Sequence, residues 1–213
     1  PLLQELRRRG VAIVGELAVA APVLSDPVIA ITGTNGKTAV TTLIGQLLQG
    51  AGKKVFVGGN IGTPLFQYLL DETAADAVVL EVSSFQLDTA GSFRPDIALL
   101  LNITPDHIDR HGSLAGYSQA KLKIFANQGA ADTAIVNGDD PLCRQALAAI
   151  AGRVLLFGHS ADCRARIAGD RIVLAWQEEE IYDLAGSRMA NAIGLMNAAA
   201  AILAARTAGC SRE

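Results

Sequence analysis

The stretch VIAITGTNGKTAVTTLIGQLL, residues 28–48, decides which fold the rest of the chain can adopt. Residues 28–31 are apolar and mostly β-branched, which is typical of a buried parallel strand. Residues 32–36 form a turn of small residues, and from Lys37 onward apolar residues recur at helical spacing. A strand, a glycine-rich turn and a helix that opens with Lys-Thr together provide the context that a phosphate-binding loop requires.

The chemistry of this turn suits a polyphosphate. Gly33 and Gly36 allow a sharp turn with inward-pointing N–H groups, and the helix N-terminus adds free donors and a partial positive charge. Lys37 supplies a full charge for the β and γ phosphates, and the hydroxyl of Thr38 is placed to ligate Mg²⁺. The common motif has Gly where this chain has Ile31, so GTNGKT is a tighter variant. The alternative is a glycine-rich turn with an incidental lysine.

Composition limits the class of protein. Half of the 213 residues are hydrophobic and the formal charge is −3 with both signs interspersed, which indicates a large core and no nucleic-acid-binding surface. Three scattered cysteines without a CxxC pair favour a reducing cytosol, and we expect a cytoplasmic monomer. No apolar run approaches the roughly 20 residues of a membrane span. The chain starts at Pro1 inside a helical pattern and stops just past another, so we expect a piece of a longer protein.

Strand and helix patterns alternate along the first 150 residues. Strands are predicted at 11–14, 28–31, 54–57, 77–82, 97–101 and 133–136, and helices at 2–9, 15–21, 37–48, 64–70, 113–127 and 141–150. This alternation predicts an α/β fold with a mostly parallel sheet flanked by helices. Residues from about 153 to 184 contain short strands and turn residues, which predicts a small antiparallel β appendage, and a closing helix follows at about 190–206.

Two residues that follow predicted strands are candidates for chemistry. Glu81 ends an apolar strand, where a buried carboxylate is costly unless it is paired or binds metal, so a Mg²⁺ role is natural beside a phosphate loop. The alternative is a carboxylate satisfied by backbone donors. His107 follows the next strand, and metal ligation, substrate contact and helix capping all fit that position.

Three further polar residues have open interpretations. Lys121 lies on a predicted helix with Lys123, and a helix lysine is usually solvated. Asn60, in a glycine-rich turn, could hydrogen-bond a ligand or simply tolerate a left-handed turn. Asn197, in an apolar helix, could contact an adenine edge or satisfy itself locally.

Several segments in order resemble the Mur ligases. The matching segments are GTNGKT, GGNIG at 58–62, LEVSSFQLD at 80–88, LNITPDHIDRHGS at 101–113, YSQAKLKIF at 117–125, NGDDP at 137–141 and NAAAA at 197–201. The segments at 80–88 and 101–113 are most similar to the branch that adds D-glutamate. The resemblance implies three domains, of which residues 28–213 are the central ATP-binding one, residues 1–27 lead into it, and the N-terminal UDP-binding and C-terminal domains lie outside the chain.

The resemblance also implies an activity. ATP would phosphorylate the carboxylate of UDP-N-acetylmuramoyl-L-alanine, and the amine of D-glutamate would attack the acyl phosphate, a step of peptidoglycan precursor synthesis that serves cell-wall growth, shape and division. The implied alternatives are another Mur-type ligase, a folylpolyglutamate synthase, or a nucleotide-binding module without turnover.

Site roles are carried over from the family residue by residue. Lys37, His107 and Lys121 would be catalytic, and two Mg²⁺ would bind to Thr38 with Glu81 and to His107 with a carbamylated Lys121. The muramoyl-alanine end would contact Asn60, Ser83 and His107. ATP would contact Gly33, Thr34, Asn35, Gly36, Lys37, Thr38, Ala39 and Asn197. The family usually has G-x-H-N ahead of the last asparagine, whereas this chain has Asn191-Ala-Ile-Gly194, which leaves the adenine contacts open.

Overall fold

A computed structural model describes residues 2–71 and 73–212. The strands are β1 Val28–Thr32, β2 Val55–Gly59, β3 Ala77–Glu81, β4 Ile97–Leu100, β5 Thr133–Asn137, β6 Arg153–Gly158, β7 Ala165–Ala168, β8 Arg171–Ala175 and β9 Glu179–Asp183. The helices are α1 Leu2–Arg8, α2 Glu16–Ala20, α3 Lys37–Gly50, α4 Leu65–Leu70, α5 Ser84–Leu87, α6 Ile108–His111, α7 Leu114–Leu122, α8 Pro141–Gln145 and α9 Ala192–Thr207. Short 3₁₀ turns, Lys123–Phe125 and Leu147–Ala149, extend α7 and follow α8.

One nine-stranded sheet organises the chain, in the order β2-β3-β1-β4-β5-β6-β7-β8-β9. The pairs from β2 to β7 are parallel, and only β7–β8 and β8–β9 are antiparallel. β1 lies between β3 and β4, so the carboxyl ends of these strands meet at one edge, where α/β proteins bind ligands. The predicted fold class is confirmed.

Some predicted boundaries differ from the structure. The antiparallel segment starts at Ala165 rather than near residue 153, because β6 pairs in parallel with β5 and extends the main sheet. Residues 11–14 form no strand, which corrects the prediction there. The helices predicted at 113–127 and 141–150 are each interrupted, since a 3₁₀ turn follows α7 and another follows α8. Pairing and tertiary packing decide these boundaries, and local propensity does not record them.

The core consists of two apolar layers, one on each face of the sheet. Alternate side chains of β1 enter different layers, since Ile29 and Ile31 pack with α3 and α9, whereas Val28 and Ala30 pack with α2, α4 and α7. All five residues of β1 are buried, as expected for a strand covered on both faces. The shared layer holds α9 against α3, which places the two helices that flank the glycine-rich turn.

No helix within residues 2–71 or 73–212 is both long and apolar enough to cross a membrane.

Candidate functional site

The glycine-rich turn after β1 is held open by an asparagine from the neighbouring strand end. Asn102 Oδ1 accepts hydrogen bonds from the backbone N–H groups of Thr34 (3.1 Å) and Asn35 (2.8 Å), and its Nδ2 donates to the Asn35 carbonyl (3.0 Å). Gly36, with φ of 84°, is the N-cap of α3, a backbone conformation that suits glycine. The turn therefore ends in the exposed N-terminus of a 14-residue helix, a favourable place for an anion.

Lys37 folds back over this turn. Its Nζ donates to the carbonyls of Gly33 (3.0 Å) and Thr34 (2.9 Å), so the positive charge lies directly above the loop. A lysine in this place adds a full charge to the partial charge of the helix end.

Glu81 ends β3 beside the loop and is 2% exposed. Its Oε2 accepts a hydrogen bond from Thr38 Oγ1 (2.7 Å) and its Oε1 accepts one from Asn60 Nδ2 (2.9 Å). The buried carboxylate is thus satisfied by two side chains and not by backbone donors. A hydroxyl and a carboxylate oxygen are hard oxygen ligands of the type that Mg²⁺ prefers, so this pair fits the ion chemically.

Lys121 is buried, with 1% of its surface exposed, and its Nζ donates to the Gly33 carbonyl at 2.7 Å. Burial, and then the charge of Lys37, lower the pKa of Lys121 to about 7. Near pH 7 the Lys121 amine is therefore neutral in a large fraction of the molecules. The neutral amine is the form that can react with an electrophile such as CO₂. The interpretation as an ordinary solvated lysine is excluded by this burial.

His107 lies at the rim of the same site. It is the N-cap of α6 without a side-chain cap bond, and it adopts the left-handed region with φ of 48°, alone among the described non-glycine residues. Its side chain is 48% exposed, and its ring centroid lies 6.2 Å from that of Tyr117, the ring against which the Lys121 ammonium packs at 4.4 Å. The structure therefore brings His107 and Lys121 to one aromatic side chain.

Among residues 2–71 and 73–212, no three His, Cys, Asp or Glu side chains are grouped to hold a metal.

Ser83 lies two residues beyond Glu81, at the N-cap of α5. Its hydroxyl accepts from the Gln86 N–H and the Gln86 side chain accepts from the Ser83 N–H, which completes a capping box. Ser83 therefore lies at the same sheet edge as Asn60, and its hydroxyl already accepts the capping bond of α5.

Asn197 lies at the other end of the loop. Its Oδ1 is 2.7 Å from the point where a Cβ on Gly36 would stand, so the glycine permits the close approach of α9. A cavity of about 440 Å³ opens beside this contact, lined in part by Asn35, Asn137 and Phe157. Ile193, in the stretch that departs from G-x-H-N, also lines it and is 74% exposed.

Two residues of the site were not singled out from the sequence. Asn102 clamps the loop, and its position directly after a strand was the available signal. Tyr117 is buried, and its hydroxyl donates to Thr34 Oγ1 at 3.3 Å. Nothing local marks Tyr117, because its partner is 83 residues away.

The family model described as Mur ligase middle domain matches residues 31–205. A UDP-N-acetylmuramoylalanine–D-glutamate ligase from Desulfotalea psychrophila is 53% identical over 99% of this chain and 46% of the relative. An enzyme of the same name from Syntrophus aciditrophicus is 42% identical over the whole chain and 48% of the relative. The chain thus spans about half the length of the curated relatives it matches.

Solved structures show the same fold at low identity. A UDP-N-acetylmuramoyl-L-alanyl-D-glutamate–2,6-diaminopimelate ligase superimposes with a TM-score of 0.69 at 23% identity, covering 98% of this chain and 46% of that one. The MurF ligase from Thermotoga maritima, solved in complex with ADP, superimposes with a TM-score of 0.70 at 22% identity. The match covers 92% of this chain and 49% of that one.

We predict that Lys121 makes stability depend on pH. The unfolded lysine has a pKa near 10.5 and the folded one near 7, so the unfolded chain binds more protons between these values. Stability contributed by this group is lost as pH falls toward 7 and recovered as pH rises, by up to about 1.4 kcal/mol per pH unit.

Urea unfolding of the wild type and Lys121→Met between about pH 7 and pH 9, without Mg²⁺ or CO₂, measures this effect. The wild type should gain stability relative to the variant as pH rises. A difference in free energy of unfolding that stays constant across this range would contradict the lowered pKa.

Proposed function

The chain belongs to the Mur ligase middle domain family, and we propose that it is the ATP-binding core of an enzyme that adds D-glutamate to UDP-N-acetylmuramoyl-L-alanine. The observation that carries the proposal is the loop between β1 and α3, with Lys37 above it and the Thr38–Glu81 pair at its side. The names of the relatives that match the whole chain support the choice of D-glutamate.

ATP would bind along the loop and into the neighbouring cavity. The phosphates would lie on the N–H groups of residues 33–39, with Lys37 neutralising the β and γ groups. The cavity of about 440 Å³ between the loop and α9 is large enough for a purine. Asn197 borders both the loop and this cavity, which supports a contact with the adenine.

Mg²⁺ would be held by Thr38 and Glu81, whose oxygens already face one another at 2.7 Å. A second ion would be held by His107 and by Lys121 in a carbamylated form, because carbamylation converts a cation into a carboxylate-like ligand. The burial and lowered pKa of Lys121 support this modification. Bound Mg²⁺ would supply positive charge where two anions must approach each other.

The residues of the chain would then promote the phosphorylation of a carboxylate. The acceptor carboxylate attacks the γ phosphate of ATP, forming an acyl phosphate and ADP, and the amine of D-glutamate displaces phosphate to form the amide. Lys37 and the N-terminus of α3 would stabilise the negative charge on the transferring group. Asn60, Ser83 and His107 would orient the muramoyl-alanine end, since all three belong to the same edge of the sheet.

The uridine and D-glutamate sites would lie outside residues 1–213. In this arrangement residues 28–213 form the central domain and residues 1–27 lead into it. The chain by itself would then be a nucleotide-binding module that binds ATP without forming product, which is a second candidate function for it. Steady amide formation by residues 1–213 alone would contradict this division of the sites.

The specificity is tested with the full-length enzyme, ATP and Mg²⁺. With UDP-N-acetylmuramoyl-L-alanine as the acceptor, we expect an amide product and ADP only when D-glutamate is supplied. Mass spectrometry of the product measures this. Ligation of L-alanine to UDP-N-acetylmuramic acid, or of diaminopimelate to a longer precursor, would assign the chain to another branch.

Replacing Lys37 by Ala should weaken ATP binding by at least about tenfold, because a full positive charge beside the phosphates is lost. Calorimetric titration of an ATP analogue into residues 1–213 measures the effect. Lys54→Ala is the matched control, since Lys54 is exposed and precedes β2, at the edge of the parallel strands opposite to the loop. Unchanged affinity in Lys37→Ala would count against the loop as the phosphate site.

Replacing Lys121 by Ala should cripple ligation in the full-length enzyme, and added formate or acetate should restore part of the rate. A short carboxylate can enter the space that the lysine leaves and supply the oxygen ligands of the carbamate. Lys37→Ala is the control, because it loses the positive charge for the ATP phosphates and no metal ligand. These anions should not restore its rate. Full activity in Lys121→Ala without any additive would remove the carbamate role.

A further inference from the structure

His111 is the buried end of an otherwise exposed turn. Residues 104–110 are all exposed, whereas the side chain of His111 is only 5% exposed. Thr104 attaches the start of this segment to the loop, since its N–H donates to Thr34 Oγ1 (3.0 Å), and the His111 imidazole attaches its other end. His111 lies outside the set of residues predicted for the site.

The imidazole of His111 is held by one face of α5. Its Nε2 is 3.1 Å from Ser84 Oγ, and its ring stacks on Phe85 with centroids 5.6 Å apart and an interplanar angle of 7°. Asp88 Oδ2 lies 3.9 Å from its Nδ1. Ser84 and Asp88 are four residues apart and so share a helix face. Tyr117 of α7 covers the ring from another side at 5.4 Å.

The same turn carries His107 at its other end. The N–H groups of Arg110 and His111 both donate to the His107 carbonyl at 3.1 Å, so the two histidines are joined by one turn of backbone. His107 adopts a left-handed conformation that costs on the order of 1–3 kcal/mol for a non-glycine residue. Such a conformation persists only where its surroundings hold it, and His111 provides the buried contact.

The two histidines also share their aromatic neighbours. Phe85 contacts His107 at 5.0 Å as well as stacking on His111, and Tyr117 contacts both rings. Because α5 starts three residues after Glu81, His111 ties the turn to the strand end that supplies the carboxylate. A shift of His111 would therefore displace His107 relative to Glu81.

We propose that His111 is a positioning residue, which through its bond to Ser84 and its stacking on Phe85 fixes the 107–111 turn so that His107 stays at the rim of the nucleotide loop. The inference rests on the proposed function for the role of His107. It does not require His111 to touch any substrate.

The test compares His111→Phe, His111→Gln and Asp109→Asn in the full-length enzyme. His111→Phe keeps the ring and loses the Ser84 bond, whereas His111→Gln can keep the bond. We expect kcat to fall by about tenfold or more in His111→Phe with the KM for ATP within about twofold, since small displacements at a reacting centre reduce rate more than binding. His111→Gln should recover part of kcat, because it can keep the Ser84 bond although it loses the stacking on Phe85. Asp109→Asn, an exposed change on the same helix, should behave as wild type.

Ser84→Ala provides a second route if His111→Phe folds poorly. Ser84→Ala should reduce kcat to a similar extent. The double variant Ser84→Ala, His111→Phe should have a kcat no lower than that of either single variant, because both substitutions remove the same hydrogen bond. Wild-type kcat in His111→Phe, or equal losses in His111→Phe and His111→Gln together with a lowered midpoint of thermal unfolding, would overturn the proposal.

Amide hydrogen exchange separates this inference from the proposed function. The Arg110, His111 and Gly112 amides, which bond to the carbonyls of His107 and Ile108, should exchange faster in His111→Phe while amides of the central strands stay protected. This result stands even if the enzyme ligates a different amino acid. Unchanged exchange in the turn would show that His111 does not fix it.

Discussion

The site depends on one buried carboxylate that is shared between two elements. Glu81 is withdrawn from water at the end of β3, where an unpaired charge would be destabilising by several kcal/mol. Thr38 from the first turn of α3 and Asn60 from the segment after β2 satisfy its two oxygens. The carboxylate therefore fixes the spacing between the N-terminus of α3 and the neighbouring strand ends. The parallel order β2-β3-β1 makes this possible, because it brings the three carboxyl ends side by side.

A second constraint acts on the other side of the loop. The Gly33 carbonyl accepts hydrogen bonds from both Lys37 and Lys121, so two amines converge on one oxygen atom. Burial disfavours the charged form of Lys121, and repulsion from the nearby ammonium group of Lys37 adds to this penalty. The two lysines therefore differ in environment, since Lys37 lies partly exposed over the loop, whereas Lys121 is buried and its pKa is lowered. A pair of lysines thus acquires different chemistry from differences in environment alone.

Local sequence patterns predict the elements of this site better than its connections. The β1–α3 unit and the placement of Glu81 at a strand end follow from apolar periodicity and from the Gly-rich turn, which are local signals. The Asn102 clamp and the contact between Tyr117 and Thr34 join residues 67 to 83 positions apart. Asn102 is marked locally only by its position after a strand, and Tyr117 carries no local mark of its role. The parallel pairing of β6 with β5 is of the same kind, because a short apolar strand does not encode its neighbour or direction. The burial of Lys121 also depends on packing, since a helix lysine is most often solvated.

The sequence Asn191-Ala-Ile-Gly194 departs from the G-x-H-N pattern, yet α9 still starts at this place. Asn191 is the N-cap of α9, where its side chain accepts from the Gly194 N–H, so the altered stretch still starts the helix at the required place. From that start, α9 packs along α3 and delivers Asn197 to Gly36, a contact that a side chain on Gly36 would block. What the departure changes is the cavity wall, where exposed Ile193 offers apolar surface and no hydrogen-bonding group. Under the proposed function, polar contact with a base on this wall would fall to the asparagines around the cavity, and to Asn197 in particular, because the packing of the two helices fixes its position.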